Sequence, residues 1–359
     1  MKIGIHVGSA FAEKRTGVEE YAYRVILNLA GLEESKDHEF ILYSNPKVNK
    51  NFPSLPKNFL IRELKFPFFW TKLRLAFELF LHPVDALFVP ANFLPIFFPN
   101  NTTITIHGVE FEYLPKGYFK YQLSYLRRGT KEAIKYAKKI ITVSDNTKND
   151  LIKLYNADSK NIHTVHHGVF NLLKNSEVKQ SKEKYILYIG RIERKKNIIG
   201  MIEAFEIAKK KFKIPHKFIL LGGDGYGYDK IKKRIDSSSY KDDIKMKGYV
   251  SEKEKESFLS GADIFLFSSF YEGFGMPILE AQVLGAPVIT SNISSMPEVA
   301  GDGALMIDPK DSEEMAEAIY KISSDENLRK NLIEKGFKNA EKYSWERCAK
   351  ETLDIILKR

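Results

Sequence analysis

The sequence predicts an α/β protein made of two doubly wound, Rossmann-like domains with parallel sheets, and three observations carry that expectation. Short β-branched runs alternate with amphipathic segments along the chain, the pattern of strands joined by covering helices. The alternation stops at a polar stretch, 171–184, and then begins again. The length, 359 residues, is too great for one ordinary domain and suits two, each able to bury its own core.

In the first half, strands are expected at 2–7, 39–43, 86–89, 103–106 and 139–143, with helical patterns at 18–29 and 131–137. In the second half they are expected at 185–189, 217–221, 244–247, 264–267 and 287–290. Ser251 with Glu254, and Asp311 with Glu314, have the spacing of helix capping boxes. The expected domains are therefore 1–170 and 171–342, with ligands at the carboxyl ends of the strands, in a cleft between the domains.

Composition narrows the function classes. Apolar residues make up 43% of the chain, so it is globular. One cysteine, Cys348, allows no internal disulfide framework and fits a reducing compartment. The opening Met-Lys-Ile-Gly-Ile-His-Val-Gly reads as a first strand, its apolar run too short for a signal peptide. No apolar run nears the roughly 20 residues of a membrane helix. The net charge of +10 falls mainly in the first half. It could attract nucleic acid, an anionic membrane or phosphorylated acceptors, but a lysine-rich solvated surface is the plainer reading. No nucleic-acid module accompanies it.

Two common nucleotide sites are disfavoured. Gly4, Gly8 and Gly17 have the wrong spacing for a dinucleotide fingerprint, and Gly222-Gly-Asp-Gly-Tyr-Gly227 fails it by register. No G-x-x-x-x-G-K-[ST] loop is present.

The segment Glu272-Gly-Phe-Gly-Met-Pro-Ile-Leu-Glu280 is the most informative. Pro277 suits the first position of a helix, which puts Glu272 in the preceding loop and Glu280 in the first turn. Backbone N–H groups of Phe274, Gly275 and Met276 then face outward at the positive end of a helix dipole, a place for an anion or a polyhydroxyl group. Gly190-Arg-Ile-Glu-Arg-Lys-Lys-Asn197 adds Arg191 at a strand end and Lys196 before the next helix, two cations suited to a diphosphate. His107-Gly108 follows a first-domain strand, Thr16-Gly17-Val18 lies between the first strand and a helix, and Lys247-Gly-Tyr-Val250 ends a second-domain strand.

This ordered set resembles the retaining GT-B glycosyltransferases of glycosyltransferase family 4, the "group 1" family, over nearly the whole chain. Ile141-Thr-Val-Ser-Asp, His167-Gly-Val, Pro297-Glu-Val299 and Tyr343-Ser-Trp345 take their places in the same order. The resemblance implies two sheets facing across a cleft, with a C-terminal helix, about 343–359, packing back on the first domain. Arg191 and Lys196 would bind the donor diphosphate and stabilise it as it leaves. Glu272 would hold the donor sugar, with Phe274, Gly275 and Met276 beside it. Glu280 would bind the ribose, and backbone near Tyr249 and Val250 the base. Gly17 would let the first loop approach the phosphate, and His107 would sit near the reacting sugar. The implied activity is a retaining, metal-independent hexosyl transfer from a nucleotide-diphospho-sugar to a glycan or lipid-linked acceptor in cell-surface polysaccharide synthesis. GDP-mannose is the favoured donor and UDP-hexoses the alternatives; no cofactor is implied. The expected location is cytoplasmic, and peripheral association with an anionic inner membrane face is left open. Two departures stand out: Thr16-Gly17 replaces a Gly-Gly pair, and Gly108 replaces an Asp, leaving Glu110 or Glu112 for acceptor contacts. A nucleotide-sugar epimerase of similar fold, or a non-catalytic glycan- or nucleotide-sugar-binding protein, are the alternatives.

Three other features have plainer readings beside the sharper ones. His163, His166 and His167 could suggest a metal, yet no spaced Cys or acidic ligand goes with them, and strand-end packing explains them. Cys348, in the last helix, reads as inert. The stretch 66–99 is rich in aromatics, with Lys72 and Arg74 among them. It fits either docking on a membrane interface or a helix packed on the first sheet, the plainer of the two.

Overall fold

The computed structural model describes residues 1–66, 68–169 and 183–358, so most of the expected linker, 171–182, lies outside the described residues. The chain forms two compact units. The first holds Met1–Phe111, Tyr118–Gly168 and Ser344–Arg359; the second holds Glu112–Gly117 and Val169–Tyr343.

The first unit contains β1 (Lys2–His6), β2 (Glu39–Ser44), β3 (Phe59–Glu63), β4 (Ala86–Val89), β5 (Thr102–Ile106), β6 (Lys139–Thr142) and β7 (Ile162–Thr164). They pair in the order β3-β2-β1-β4-β5-β6-β7, parallel throughout. The second contains β8 (Tyr185–Ile189), β9 (Lys217–Leu221), β10 (Ile244–Gly248), β11 (Ile264–Phe267), β12 (Val288–Ser291) and β13 (Ala304–Ile307). These pair in parallel as β10-β9-β8-β11-β12-β13. Both sheets have the doubly wound order, which reverses direction between β1 and β4 and between β8 and β11.

Every expected strand is present within a residue or two of its bounds. Three strands were not foreseen: β3, β7 and β13, each at the outer edge of a sheet. In β3 only Phe59 is buried, and β7 has three residues, so neither shows the continuous apolar run of a covered parallel strand. β4, β5 and β6 are buried along their full length and are easily read. The helical pattern at 131–137 is the end of a longer helix, Lys120–Tyr136. The Ser251–Glu254 capping box forms. At Asp311 only half of one does: its side chain caps the N–H groups of Glu313 and Glu314, while Glu314 accepts instead from the N–H of Asp308.

The last helix, Trp345–Leu357, belongs to the first unit. Its final carbonyls are received by buried Lys139, which donates to the oxygens of Ile355 (2.7 Å) and Lys358, and by Asn101, which donates to Ile356 (3.1 Å). Burial, with Lys138 and Lys358 nearby, lowers the Lys139 ammonium to about 8. At the other end Trp345 stacks on His167 (5.7 Å between centroids), and His167 on Tyr21 (4.8 Å), the strand-end packing expected of this histidine. Cys348 lies in the core face of the helix, its thiol pushed up by burial and by Glu351.

Candidate active site

In the second unit the carboxyl ends of β8 and β11 flank the point where the strand order reverses, where doubly wound sheets hold ligands. Arg191 follows β8 and is exposed; its main-chain carbonyl accepts from the buried Tyr188 hydroxyl at 3.0 Å. The chain then makes a tight turn, Arg194–Lys196, and enters the helix Ile198–Phe212. Between them stands Asn197, buried, with φ of 59°. Asparagine tolerates this left-handed conformation better than most side chains. Its Nδ2 donates to the Pro309 carbonyl at 2.6 Å, anchoring the turn and so aiming Lys196.

Lys196 reaches across the reversal point to Glu272, with Nζ 2.6 Å from Oε1 and 2.8 Å from Oε2. Both side chains are largely covered, 15% and 13% exposed, so the pair is poorly screened by solvent. The same ammonium sits 5.7 Å from the centre of the Phe267 ring. Main chain ties the two loops as well: the Phe270 N–H donates to the Lys195 carbonyl at 3.1 Å.

The Glu272 loop is held from behind by two serines. Ser294 Oγ donates to the Glu272 carbonyl (2.7 Å), and Ser295 Oγ lies within reach of the carbonyls of Glu272 (2.9 Å) and Phe274 (2.8 Å). The helix that follows is Met276–Val283, so Met276, not Pro277, is its first residue and Glu280 opens its second turn. Gly275 caps it with φ of 104°, a conformation nearly reserved for glycine. The first-turn N–H groups of such a helix have no partners within the helix.

Glu280 is also paired. Lys255, from the helix Glu252–Ser260, places Nζ 2.9 Å from its Oε1 and 2.8 Å from Glu252. Burial alone would lower the Lys255 ammonium, but Glu280 and Glu252 outweigh it and raise it. Tyr249 and Val250 lie between β10 and this helix. If Glu280 binds the ribose of a donor, as the resemblance implies, Lys255→Met should raise KM for that donor roughly tenfold with little change in kcat, the signature of lost uniform binding. Initial rates over a range of donor concentrations give that split; an equal fall in kcat would place Lys255 in the chemistry instead.

In the first unit, His107 follows β5. Its Nε2 lies 3.0 Å from the Pro90 carbonyl, which can only accept, so Nε2 carries the proton and Nδ1 is the acceptor of the neutral ring. Burial lowers its pKa. Tyr21 packs edge-on against the ring at 4.8 Å. Gly17 is the exposed first residue of the helix Gly17–Gly31, whose preceding Thr16 N–H donates to Glu19 at 2.8 Å. Glu110 accepts from the Tyr118 hydroxyl at 3.0 Å.

The second unit thus brings Lys196 to Glu272 at the reversal point, and the same loop and helix carry Gly275, Met276 and Glu280. Asn197, Lys255, Ser294 and Ser295 escaped the sequence reading. Asn197 alone left a trace, as an asparagine directly before an apolar helical run.

Two doubly wound units, the second with paired cations and carboxylates at its strand-order reversal, can be compared with known proteins. The "Glycosyl transferases group 1" model matches residues 169–339, and the "Glycosyltransferase Family 4" model matches 15–170. The chain is 30% identical to the O-antigen chain mannosyltransferase B of Escherichia coli over 260 residues, 70% of this chain and 68% of that protein. It is 31% identical to the O-antigen chain mannosyltransferase RfbU of Salmonella typhimurium, over 62% of this chain and 61% of that one. Among solved structures, WaaG, a glycosyltransferase involved in lipopolysaccharide biosynthesis, matches with a TM-score of 0.74 at 15% identity, covering 100% of both chains. Anabaena HepE in complex with UDP-glucose matches with 0.74 at 15% identity, covering 99% of both. The chain belongs to the group 1 glycosyl transferases and has the GT-B fold of two Rossmann-like domains.

Proposed function

We propose that the protein is a retaining, metal-independent hexosyltransferase that moves mannose from GDP-mannose to a glycan or lipid-linked acceptor in cell-surface polysaccharide synthesis. The observation that carries the reading is the Lys196–Glu272 pair at the reversal point, with Arg191 on the adjoining strand end and Glu280 on the following helix. The choice of mannose is supported by the two O-antigen mannosyltransferases among the relatives. Attachment of the acceptor to a lipid would bring the enzyme to the cytoplasmic face of a membrane.

In this reading Arg191 and Lys196 bind the diphosphate and take up the charge that develops as it leaves. Glu272 holds hydroxyls of the sugar, and the N–H groups at Phe274, Gly275 and Met276 orient it. Glu280 binds the ribose, and backbone at Tyr249 and Val250 meets the base. From the first unit, Gly17 gives the phosphate room and His107, as a neutral ring, contacts the sugar. The acceptor oxygen bonds to the anomeric carbon as the bond to the diphosphate breaks. The acceptor's proton passes to the departing phosphate oxygen on the same face, which retains the anomeric configuration. Two protein cations then serve where a divalent metal would otherwise neutralise the leaving group.

A thermal-shift screen of GDP- and UDP-sugars tests the donor, because a bound donor raises the unfolding temperature by mass action. GDP-mannose should give the largest shift, unaltered by chelator. A larger shift with a UDP-sugar would replace the donor, and a shift abolished by chelator and restored by metal would overturn the metal-free reading.

A further inference from the structure

The first unit presents an apolar surface beside a basic one. After an edge strand, β3, a π-helical turn, Trp70–Leu75, runs into the helix Ala76–Leu81. Leu75, Ala76 and Leu79 are buried against the sheet. The opposite face, which in a surface helix would be polar, is apolar too: Leu73, Phe77 (57% exposed) and Phe80 (66%) recur at helical spacing. Phe69 (75%) precedes them and Ile96 (67%) lies alongside. Phe80 meets Phe97 edge-on at 5.5 Å, and this surface encloses a shallow groove of ≈ 450 Å³. Contiguous exposed apolar area of this kind marks an interaction site.

The neighbour is the helix Lys120–Tyr136. Its inner face, with Leu123, Leu126, Ala133 and Ile134, packs on the core. Its outer face exposes Lys120, Arg127, Arg128, Lys131 and Lys135, with Tyr121 and Tyr125 among them. Two contacts make the surfaces continuous. Lys72 Nζ lies 2.6 Å from Glu132, and Phe93 stacks on Tyr125 at 4.4 Å. The ring of Phe93 fits there because residue 129 is glycine; a Cβ at that position would come within 2.3 Å of it.

We propose that this combined surface docks the protein on an anionic lipid bilayer. The apolar side chains of the Trp70–Leu81 region enter the headgroup boundary, and the basic face of Lys120–Tyr136 lies on the phosphates. Bulky aromatics next to a lysine- and arginine-rich helical face are the composition of interfacial attachment, and the basic face selects the anionic surface. Among the described residues no helix is long and apolar enough to cross a membrane, so attachment here is from one side. Docking of this kind rests on the reading of a lipid-linked acceptor and adds the surface that would meet the membrane. Binding to vesicles and transfer to a water-soluble acceptor are separate measurements, so either can fail without the other.

The test is co-sedimentation of the full chain with vesicles of phosphatidylcholine, or of phosphatidylcholine mixed with phosphatidylglycerol, at low and high salt. Binding should be confined to the mixed vesicles. Lys131→Ala with Lys135→Ala should weaken it roughly 30-fold at low salt, at about fivefold per surface cation, with the loss shrinking as salt rises. Phe77→Ala with Phe80→Ala should weaken it at least about tenfold at every salt concentration. All four side chains are exposed, so unchanged thermal unfolding serves as the control. Absence of binding to mixed vesicles, or wild-type binding by the phenylalanine variant, overturns the proposal. So does a dimer in analytical ultracentrifugation that the phenylalanine variant dissociates, with vesicle binding absent, because the apolar surface then covers a second copy.

Discussion

Glu272→Ala should lower transfer about 10²- to 10³-fold while tightening the binding of free nucleoside diphosphate. The first part follows from the proposed role of Glu272 in holding the donor sugar in its reacting position. The second follows from the geometry: the carboxylate lies 2.6 Å from Lys196 Nζ, so a diphosphate must compete with Glu272 for that ammonium. Freeing the cation should gain about 1 kcal/mol, a roughly fivefold tighter Kd. Lys196→Ala gives the complement, with diphosphate affinity and turnover falling together. Titration calorimetry with GDP, set beside initial rates, separates these outcomes. Equal losses of transfer and diphosphate affinity in Glu272→Ala would show that Glu272 serves mainly to position Lys196, and the sugar-holding role would fall.

The pair also shows what sequence can reveal about such a site. Glu272 and Glu280 were legible because their chemistry is local: a loop, a glycine cap and a proline near a helix start stand within nine residues. Arg191 and Lys196 were legible because they follow a strand whose buried residues mark it plainly. The direct contact between Lys196 and Glu272 was not. It depends on β8 and β11 being neighbours, although β9 and β10 intervene in sequence. Lys255 was hidden for a related reason, being one lysine of a charged helix whose role depends on which carboxylate it faces. Ser294 and Ser295 act through hydroxyls on main-chain carbonyls, a contact no residue pattern announces.

The fold divides in the same way. Central strands such as β4 and β11 are buried along their length and are apolar throughout, so composition exposes them. The edge strand β3 is open to solvent beyond Phe59 and mixes apolar with charged residues, while β13 is apolar but only four residues long and only half-buried before Ile307. The 70–81 region shows a different ambiguity. Its sequence fitted both a packed helix and a docking surface; in the structure Leu75 and Leu79 face the core, and Phe77 and Phe80 are exposed.

Gly168→Ala should be the most destabilising single-methyl change near the C-terminal helix. The chain leaves the first unit after Gly168 and returns to it at Ser344. A Cβ on Gly168 would stand 2.0 Å from the Trp345 backbone nitrogen and 2.4 Å from the Ser344 carbonyl carbon. Both obstacles are main chain, so no rotamer change relieves them. They also sit at the start of the helix, where Ser344 Oγ accepts from the Arg347 N–H at 3.0 Å. Making room for the methyl group must shift this cap and the Trp345 ring stacked on His167, or pull the helix from its place beside Tyr21. Overpacking usually costs 1–3 kcal/mol, and a main-chain obstacle places this change at the upper end, about 3 kcal/mol. For a unit of this size that corresponds to a fall in Tm of roughly 10 °C. Thermal unfolding followed by circular dichroism measures it, with Gly31→Ala as the reference, since a Cβ there meets nothing within 4 Å. Equal melting temperatures for the two variants would mean that the Gly168–Trp345 approach is loose, and that Lys139 and Asn101 at the far end carry the attachment of the helix.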